Sequence, residues 1–185
     1  MAPAEPEREL KTAIVLVLAQ FSAGLTALHA EFYPEAVAKR VPLHLTLLSP
    51  FVPRRTLTGE VVSALRGFFA ERPRVSFELT RIDHFPGVLY AAPEPADGLV
   101  ELIEALASAY PETPPYGGAY PEPVPHVTLA EVSEGAEQER VRARLRIATA
   151  SLLPVRCELA YASLLEEHQP DRWRERERFP FATRP

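Results

Sequence analysis

Two short segments repeat the same order of residue types, a histidine followed two positions later by a threonine. The segments are His44-Leu45-Thr46 and His126-Val127-Thr128. Successive side chains of a β-strand point to opposite faces, so the histidine and the threonine of a strand segment share one face. The sequence therefore predicts two places where an imidazole and a hydroxyl lie side by side on an aliphatic backing.

This pairing suits the cleavage of a phosphodiester. That reaction needs a base to activate the nucleophile and an acid to protonate the leaving oxygen. Histidine, whose ordinary pKa is about 6.5, can take either role near neutral pH. Threonine hydroxyls can donate hydrogen bonds to the non-bridging phosphate oxygens. We therefore predict a site formed by His44, Thr46, His126 and Thr128, although the residues alone also allow a purely structural role for both pairs.

Other kinds of catalytic site have less support in the chain. A metal site is disfavoured because each segment offers one good ligand, with no carboxylate or further histidine at ligand spacing. A serine nucleophile is disfavoured because the chain lacks the Gly-x-Ser-x-Gly pattern. The single cysteine, Cys157, excludes both an internal disulfide and a cysteine zinc cluster, and we expect it in the core. The sequence predicts no metal and no cofactor.

Length and charge limit the kind of protein this is. A chain of 185 residues fits one compact domain, and we predict a single domain over residues 1–185. A net charge of −5 disfavours extensive non-specific binding of nucleic acid, because wide phosphate contact needs a basic surface. The start of the chain lacks signal-peptide features, and the apolar run 13–19 is too short to span a bilayer. We expect a monomer in the cytoplasm.

The pattern of apolar residues predicts the elements that position the two segments. Strands and helices are expected in the order β-α-β-α-β-β-α-β-α-β-β, which favours a mixed sheet over a purely parallel one. The predicted helix caps are Thr56 or Thr58, Asp97 and Ser133. Residues 74–84 and 88–92 are expected to form a hairpin through the turn Phe85-Pro86-Gly87. Residues 155–166 and 172–179 are expected to form a final pair of strands.

Several residues near the two segments could contact the rest of a substrate. We predict such contacts for Phe51 and Arg54, which follow the first segment, and for Tyr120 in the long loop before the second. Tyr116 and Phe85 are further aromatic candidates. Arginine can bind phosphate and an aromatic ring can stack on a base. Core packing of the phenylalanines and a solvated position for Arg54 and its neighbour remain open as alternatives.

Arginines occupy alternate positions of the last predicted strand. They are Arg172, Arg174, Arg176 and Arg178. On a strand they would share one face and could bind phosphate. We favour the alternative that these charges protect the edge of a sheet from pairing with another chain.

The two histidine segments and their flanks, residues 41–51 and 124–130, resemble the paired motifs of the two-histidine (2H) phosphoesterase superfamily. Within it, the chain is most similar to the 2′-5′ RNA ligase-like group, which includes bacterial RNA 2′,3′-cyclic phosphodiesterases. The resemblance implies an α+β fold that is bilobal and pseudo-symmetric, with two mainly antiparallel sheets forming a central cleft and helices outside. It also implies that His44 and His126 are the acid-base pair and that Thr46 and Thr128 bind phosphate.

The activity that this resemblance implies is metal-independent hydrolysis of 2′,3′-cyclic phosphates on RNA or nucleotide ends to 2′-phosphates. Joining of RNA ends through a 2′-5′ bond is the implied side activity. Two alternatives stay open: a relative acting on another small cyclic nucleotide or phosphodiester, and a non-catalytic nucleotide- or RNA-binding module. Many relatives carry a basic residue and a tryptophan in the hairpin where this chain has Gly87 and Tyr90, which affects the substrate more than the chemistry.

Overall fold

The computed structural model describes residues 8–120 and 122–183. Its longer elements, in chain order, are β1 (Thr12–Val17), α1 (Ala23–Phe32), α2 (Pro34–Ala38), β2 (His44–Leu48), α3 (Gly59–Ala70), β3 (Val75–Phe85), β4 (Val88–Glu94), α4 (Asp97–Ala109), β5 (Val127–Glu131), α5 (Ala136–Thr149), β6 (Val155–Leu159), β7 (Tyr161–Gln169) and β8 (Arg172–Pro180). Two short 3-10 turns lie at Arg54–Thr56 and Pro115–Gly118. None of the helices within the described residues is long and apolar enough to cross a bilayer.

The eight strands form two four-stranded sheets whose strand orders are β2-β1-β7-β8 and β5-β4-β3-β6. Every pairing between these strands is antiparallel. The predicted α+β fold with two antiparallel sheets is therefore confirmed. The two histidine strands occupy equivalent places, because β2 and β5 are each an edge strand of their own sheet. These two edges lie against each other, so the junction between the sheets is lined by both segments.

Two helices cross between the halves and hold this junction together. Helix α1 follows β1 of the first sheet but packs on β5 of the second, while α4 follows β4 and packs on β2. At the end of α1, the hydroxyl of Tyr33 lies close enough to Glu131, at the end of β5, for that carboxylate to raise the pKa of the phenol, alongside the larger effect of burial. The aliphatic side chains behind the two histidine segments are at most 1% exposed and belong to one continuous core; they are Leu45, Leu47, Val127 and Leu129. Removal of apolar surface from water stabilises a fold by about 25 cal/mol per Å², so the burial of these side chains holds both strands in place.

The helix caps agree with the sequence in one case and differ in two. Thr58 caps α3, since its hydroxyl accepts a hydrogen bond from the Val61 N–H at 3.4 Å. Asp97 is not a cap: Ala96 holds that position, and Asp97 lies in the first turn, where a carboxylate still interacts favourably with the helix dipole. Ser133 is also not a cap, because α5 begins later, after Gly135 in a left-handed conformation (φ 88°).

The predicted strand over residues 155–166 is two strands that belong to different sheets. β6 pairs with β3 in the second sheet, and β7 pairs with β1 in the first. The chain changes sheets at Ala160, which is exposed between the buried Leu159 and the half-buried Tyr161. Alternation of apolar residues continues through the break, so periodicity alone could not reveal it. The predicted β3–β4 hairpin is confirmed, with Gly87 at φ 74° in its turn.

Candidate active site

The two histidine segments have the same local geometry. In β2, His44 and Thr46 are half-buried while Leu45 between them is fully buried. The same alternation holds for His126 and Thr128 on either side of a fully buried valine. Each segment therefore places its imidazole and hydroxyl on the face that is open toward the junction between the sheets.

Each imidazole is anchored in the same way. Nδ1 of His44 lies 2.8 Å from the carbonyl oxygen of Pro42, and Nδ1 of His126 lies 2.7 Å from that of Val124. Since a carbonyl oxygen only accepts, both rings must carry their proton on Nδ1 when they are neutral. The lone pair is then on Nε2, which can accept a proton from a nucleophile. The anchor thus selects the same tautomer twice.

The protein favours the neutral form of both histidines. Burial lowers the pKa of His44 to about 4. The hydrogen bond with the Pro42 carbonyl acts in the opposite direction, and positive charge on His29 or His126 lowers the pKa further. Burial also lowers the pKa of His126, with the Val124 carbonyl acting in the opposite direction. Both rings are therefore neutral at pH 7 in the free protein. An anionic phosphate nearby would favour protonation of one of them, because opposite charges stabilise each other.

Aromatic rings surround His126. The ring of Phe85 meets it edge-on with centroids 5.1 Å apart, and the ring of Tyr90 lies at 5.4 Å. Tyr116 lies nearly parallel to the imidazole, at 6.4 Å and 23°. Tyr116 also reaches the first segment, since its N–H donates to the Ser49 carbonyl at 2.7 Å, and its hydroxyl lies close enough to Thr46 for that residue to lower the pKa of the phenol against the larger, opposite effect of burial. The sequence identified Tyr116 only as a stacking candidate, not as a bridge between the two segments.

Comparison with known proteins decides the family. The family model described as the 2′-5′ RNA ligase superfamily matches residues 15–171. The chain belongs to the 2′-5′ RNA ligase superfamily. The resemblance seen in the two histidine segments is thereby confirmed, and the match runs from within β1 to the end of β7.

Curated relatives of this superfamily member come from bacilli. A Bacillus licheniformis protein that bears the name "Putative phosphoesterase" is 32% identical over 114 residues, which is 60% of this chain and 65% of that protein. A Geobacillus kaustophilus protein of the same kind of name is 30% identical over 112 residues, 58% of this chain and 61% of the relative. The chain thus spans less than two thirds of the length of either relative.

Solved structures share the fold of this superfamily member at low identity. A crystal structure of Escherichia coli LigT complexed with NADP⁺ has a TM-score of 0.60 and 18% identity, with 96% of this chain and all of that chain covered. A structure described as a phosphoesterase has a TM-score of 0.63 and 18% identity, with 95% of this chain and all of the other covered. Thermus thermophilus TT0787 has a TM-score of 0.60 and 19% identity, with 92% and 97% covered.

Two of the residues predicted to contact a substrate lie away from the two histidine segments. Phe51 is 3% exposed and packs edge-on against Tyr110 with centroids 5.0 Å apart, so it is a core residue and cannot stack on a ligand. Arg54 forms an ion pair with Glu166 at 3.5 Å and lines a separate cavity of about 930 Å³. We therefore correct the prediction for both. Tyr120 is 68% exposed and lies edge-on to Tyr116 at 5.8 Å, and its contact with a substrate stays a prediction.

The arginines of β8 serve the edge of the first sheet. β8 is an edge strand, as predicted, and Arg174 and Arg176 both bind Glu166, whose side chain is 1% exposed. Burial opposes ionisation of that carboxyl, but the two guanidiniums hold its pKa below the usual value. These two arginines therefore neutralise a buried carboxylate at the edge of the sheet. Among the residues that the structure describes, no group of three or more His, Cys, Asp or Glu side chains is arranged to hold a metal ion.

Proposed function

We propose that this protein is a phosphodiesterase that opens 2′,3′-cyclic phosphates at RNA or nucleotide ends and leaves 2′-phosphates, without a metal. The observation that carries the proposal is the meeting of the edge strands β2 and β5, each with a neutral, Nδ1-anchored histidine and a threonine on the same face. Membership of the 2′-5′ RNA ligase superfamily and relatives named as phosphoesterases support it.

In the proposed reaction, water attacks the phosphorus and the P–O3′ bond breaks. One neutral imidazole accepts a proton from the water through Nε2. The other imidazole, protonated in the complex, donates its proton to the departing 3′ oxygen, and the phosphate remains on the 2′ oxygen. His44 and His126 are the proposed pair. When the 5′-hydroxyl of a second RNA end attacks in place of water, the same two groups would open the cyclic phosphate into a 2′-5′ phosphodiester and release the 3′ oxygen as a hydroxyl, which accounts for the proposed 2′-5′ ligase side activity.

Thr46 and Thr128 are the proposed phosphate ligands. A hydroxyl on each side of the junction can donate to a non-bridging oxygen and hold the phosphorus in line between the imidazoles. Hydrogen bonds to a charged group contribute about 1.5–3 kcal/mol each, and more when the charge grows in the transition state. The two segments together therefore supply both proton transfer and charge stabilisation.

The nucleotide class of the substrate has separate support. Crystal structures of LigT, which shares this fold, hold NADP⁺, 3′-AMP, ATP and phosphate. In the present chain, the exposed ring of Tyr120 beside Tyr116 offers a surface on which a base could stack. A net charge of −5 favours a short substrate over a long RNA, since extended phosphate contact would be repelled.

The test is to offer an oligonucleotide that ends in a 2′,3′-cyclic phosphate and to identify the product by mass spectrometry and phosphatase sensitivity. A 2′-phosphate product, formed equally well in EDTA, is the expected result. His84→Ala is the matched control for the histidine variants, because His84 is exposed on β3 and lies outside the two segments. Turnover of small cyclic nucleotides but not of the oligonucleotide would favour the first alternative, an enzyme acting on another small cyclic nucleotide or phosphodiester. Binding without any turnover would point to a non-catalytic module.

A further inference from the structure

Tyr116 contacts both histidine segments although it belongs to neither. Its N–H donates to the Ser49 carbonyl and its hydroxyl lies near Thr46 on the β2 side, and its ring lies along His126 on the other side. Tyr116 also has a positive φ of 52°, a conformation that is unfavourable for a residue with a bulky side chain. Unfavourable backbone conformations persist where the surroundings hold them, and they are concentrated at functional sites.

We propose that Tyr116 is a further substrate-binding residue, whose hydroxyl donates to the same phosphate group that Thr46 binds. This inference rests on the proposed function. A hydroxyl that lies near Thr46 in the free protein is already close to the place where a phosphate oxygen would accept from Thr46. The side chain is 40% exposed, so a ligand can reach it from the open side of the junction.

The chemistry of the phenol fits a donor and not an acid or base. Burial raises the pKa of Tyr116, so the hydroxyl keeps its proton at neutral pH and can donate to an anion. The nearly parallel packing on His126 orients the ring, and the N–H bond to Ser49 fixes the backbone. The hydroxyl is therefore preorganised on the β2 side of the site, and it loses little conformational freedom when the phosphate binds.

The experiment compares Tyr116→Phe with Tyr110→Phe. Each variant removes one phenolic oxygen, and Tyr110 is a suitable control because its ring packs against Phe51 in the core. Binding of inorganic phosphate is followed through the imidazole NMR signals of His44 and His126, and turnover is measured with the cyclic-phosphate oligonucleotide. Loss of a hydrogen bond to a charged group predicts phosphate binding weaker by a factor of about 10 to 100 in Tyr116→Phe. The same factor is expected in kcat/KM, and Tyr110→Phe is expected to match the wild type in both.

Phosphate binding by Tyr116→Phe that equals that of the wild type would overturn the inference. Tighter binding would also overturn it, because the hydroxyl would then be a competitor that the phosphate must displace from Thr46. The two arms separate this inference from the proposed function. If the wild type binds phosphate but does not open the cyclic ester, the proposed function fails, and the comparison of phosphate affinities still decides the role of Tyr116.

Discussion

The two histidine segments share an anchor but differ in what surrounds it. On the β2 side, His44 and Thr46 face aliphatic partners across the strand pair, Val17 and Val15. On the β5 side, Thr128 lies opposite Tyr90, and rings crowd around the imidazole of His126. The local backbone geometry is the same in both halves, so the repeated motif accounts for the pair of imidazoles, and the surroundings account for the differences between them.

This difference separates what a phosphate needs from what the rest of a substrate needs. A phosphate group can be bound equally from two sides, which the repeated histidine and threonine allow. A nucleoside is attached to one side only, and the aromatic rings near the site lie around His126 at the start of β5, where Tyr116 lies along the imidazole and Tyr120 packs edge-on against Tyr116. We therefore place the base of the proposed substrate on the β5 side of the junction.

The largest expected effect comes from removing either imidazole. His44→Ala and His126→Ala should each lower kcat by about 10²–10⁴-fold, because proton transfer by a positioned group contributes that much. If the two halves are equivalent in the chemistry, the two losses should be similar despite the different surroundings. Single-turnover rates with the cyclic-phosphate oligonucleotide measure this, and His84→Ala should retain full activity. If either variant keeps the wild-type rate, the histidine that it lacks does not take part in the proton transfer.

A smaller effect is expected from the threonines. Thr46→Val and Thr128→Val keep the shape of the side chain but remove a donor, and each should lower kcat/KM by about 10- to 100-fold. Thr80→Val is a matched control, since the Thr80 hydroxyl is buried without a hydrogen-bond partner among the described residues. Similar kinetics for all three variants would show that the hydroxyls do not bind phosphate. A larger loss of kcat/KM in Thr46→Val than in Thr128→Val would show that the Tyr116 hydroxyl acts together with that of Thr46.

The two histidines should also differ in their effect on stability at acid pH. Both have a folded-state pKa below the unfolded value of about 6.5, so on acidification the unfolded chain takes up a proton first. Their contribution to stability is complete above pH 6.5 and is lost as the pH falls, for His44 down to about 4. After allowance for partial exposure, His44 should account for about 2 kcal/mol of this loss.

Denaturant titrations at pH 7 and pH 4.5 check this difference. The loss of unfolding free energy between the two pH values should be smaller in His44→Gln than in the wild type, and His126→Gln should show a weaker reduction. Carboxylates titrate equally in all three proteins, so their contribution cancels in the comparison. If His44→Gln loses as much unfolding free energy between the two pH values as the wild type does, the His44 imidazole is hydrated in the folded state.

The smallest effect on activity is expected from Arg54, which lies away from the two segments. Arg54→Ala should leave kcat/KM within about twofold of the wild type, because the guanidinium is paired with Glu166 at 3.5 Å. A modest loss of stability is expected instead, since the variant removes one of the cations around a buried carboxylate. Thermal unfolding and steady-state kinetics distinguish the two effects. A large rise in KM would restore the original prediction of a substrate contact.

The sequence alone was sufficient for the repeated histidine-threonine pairs and for most of the elements that carry them. The reason is that strand alternation is local: the residue types at i and i+2 determine what shares a face, whatever the strand packs against. The Thr58 cap and the hairpin at Gly87 were predicted for the same reason, since a side chain close in sequence or a turn residue decides each of them.

Tertiary structure decided where those local pieces meet. The two histidine strands become neighbours because each is the edge of its sheet and because α1 and α4 cross over to the opposite half. The division of residues 155–166 between two sheets, the burial of Phe51 and the pairing of Arg54 with Glu166 depend in the same way on distant partners. The bridge formed by Tyr116 depends in addition on a left-handed backbone at a residue that rarely adopts one. Contacts between residues far apart in the chain leave no periodic trace in it, so the sequence determined the chemical groups and the fold determined which of them act together.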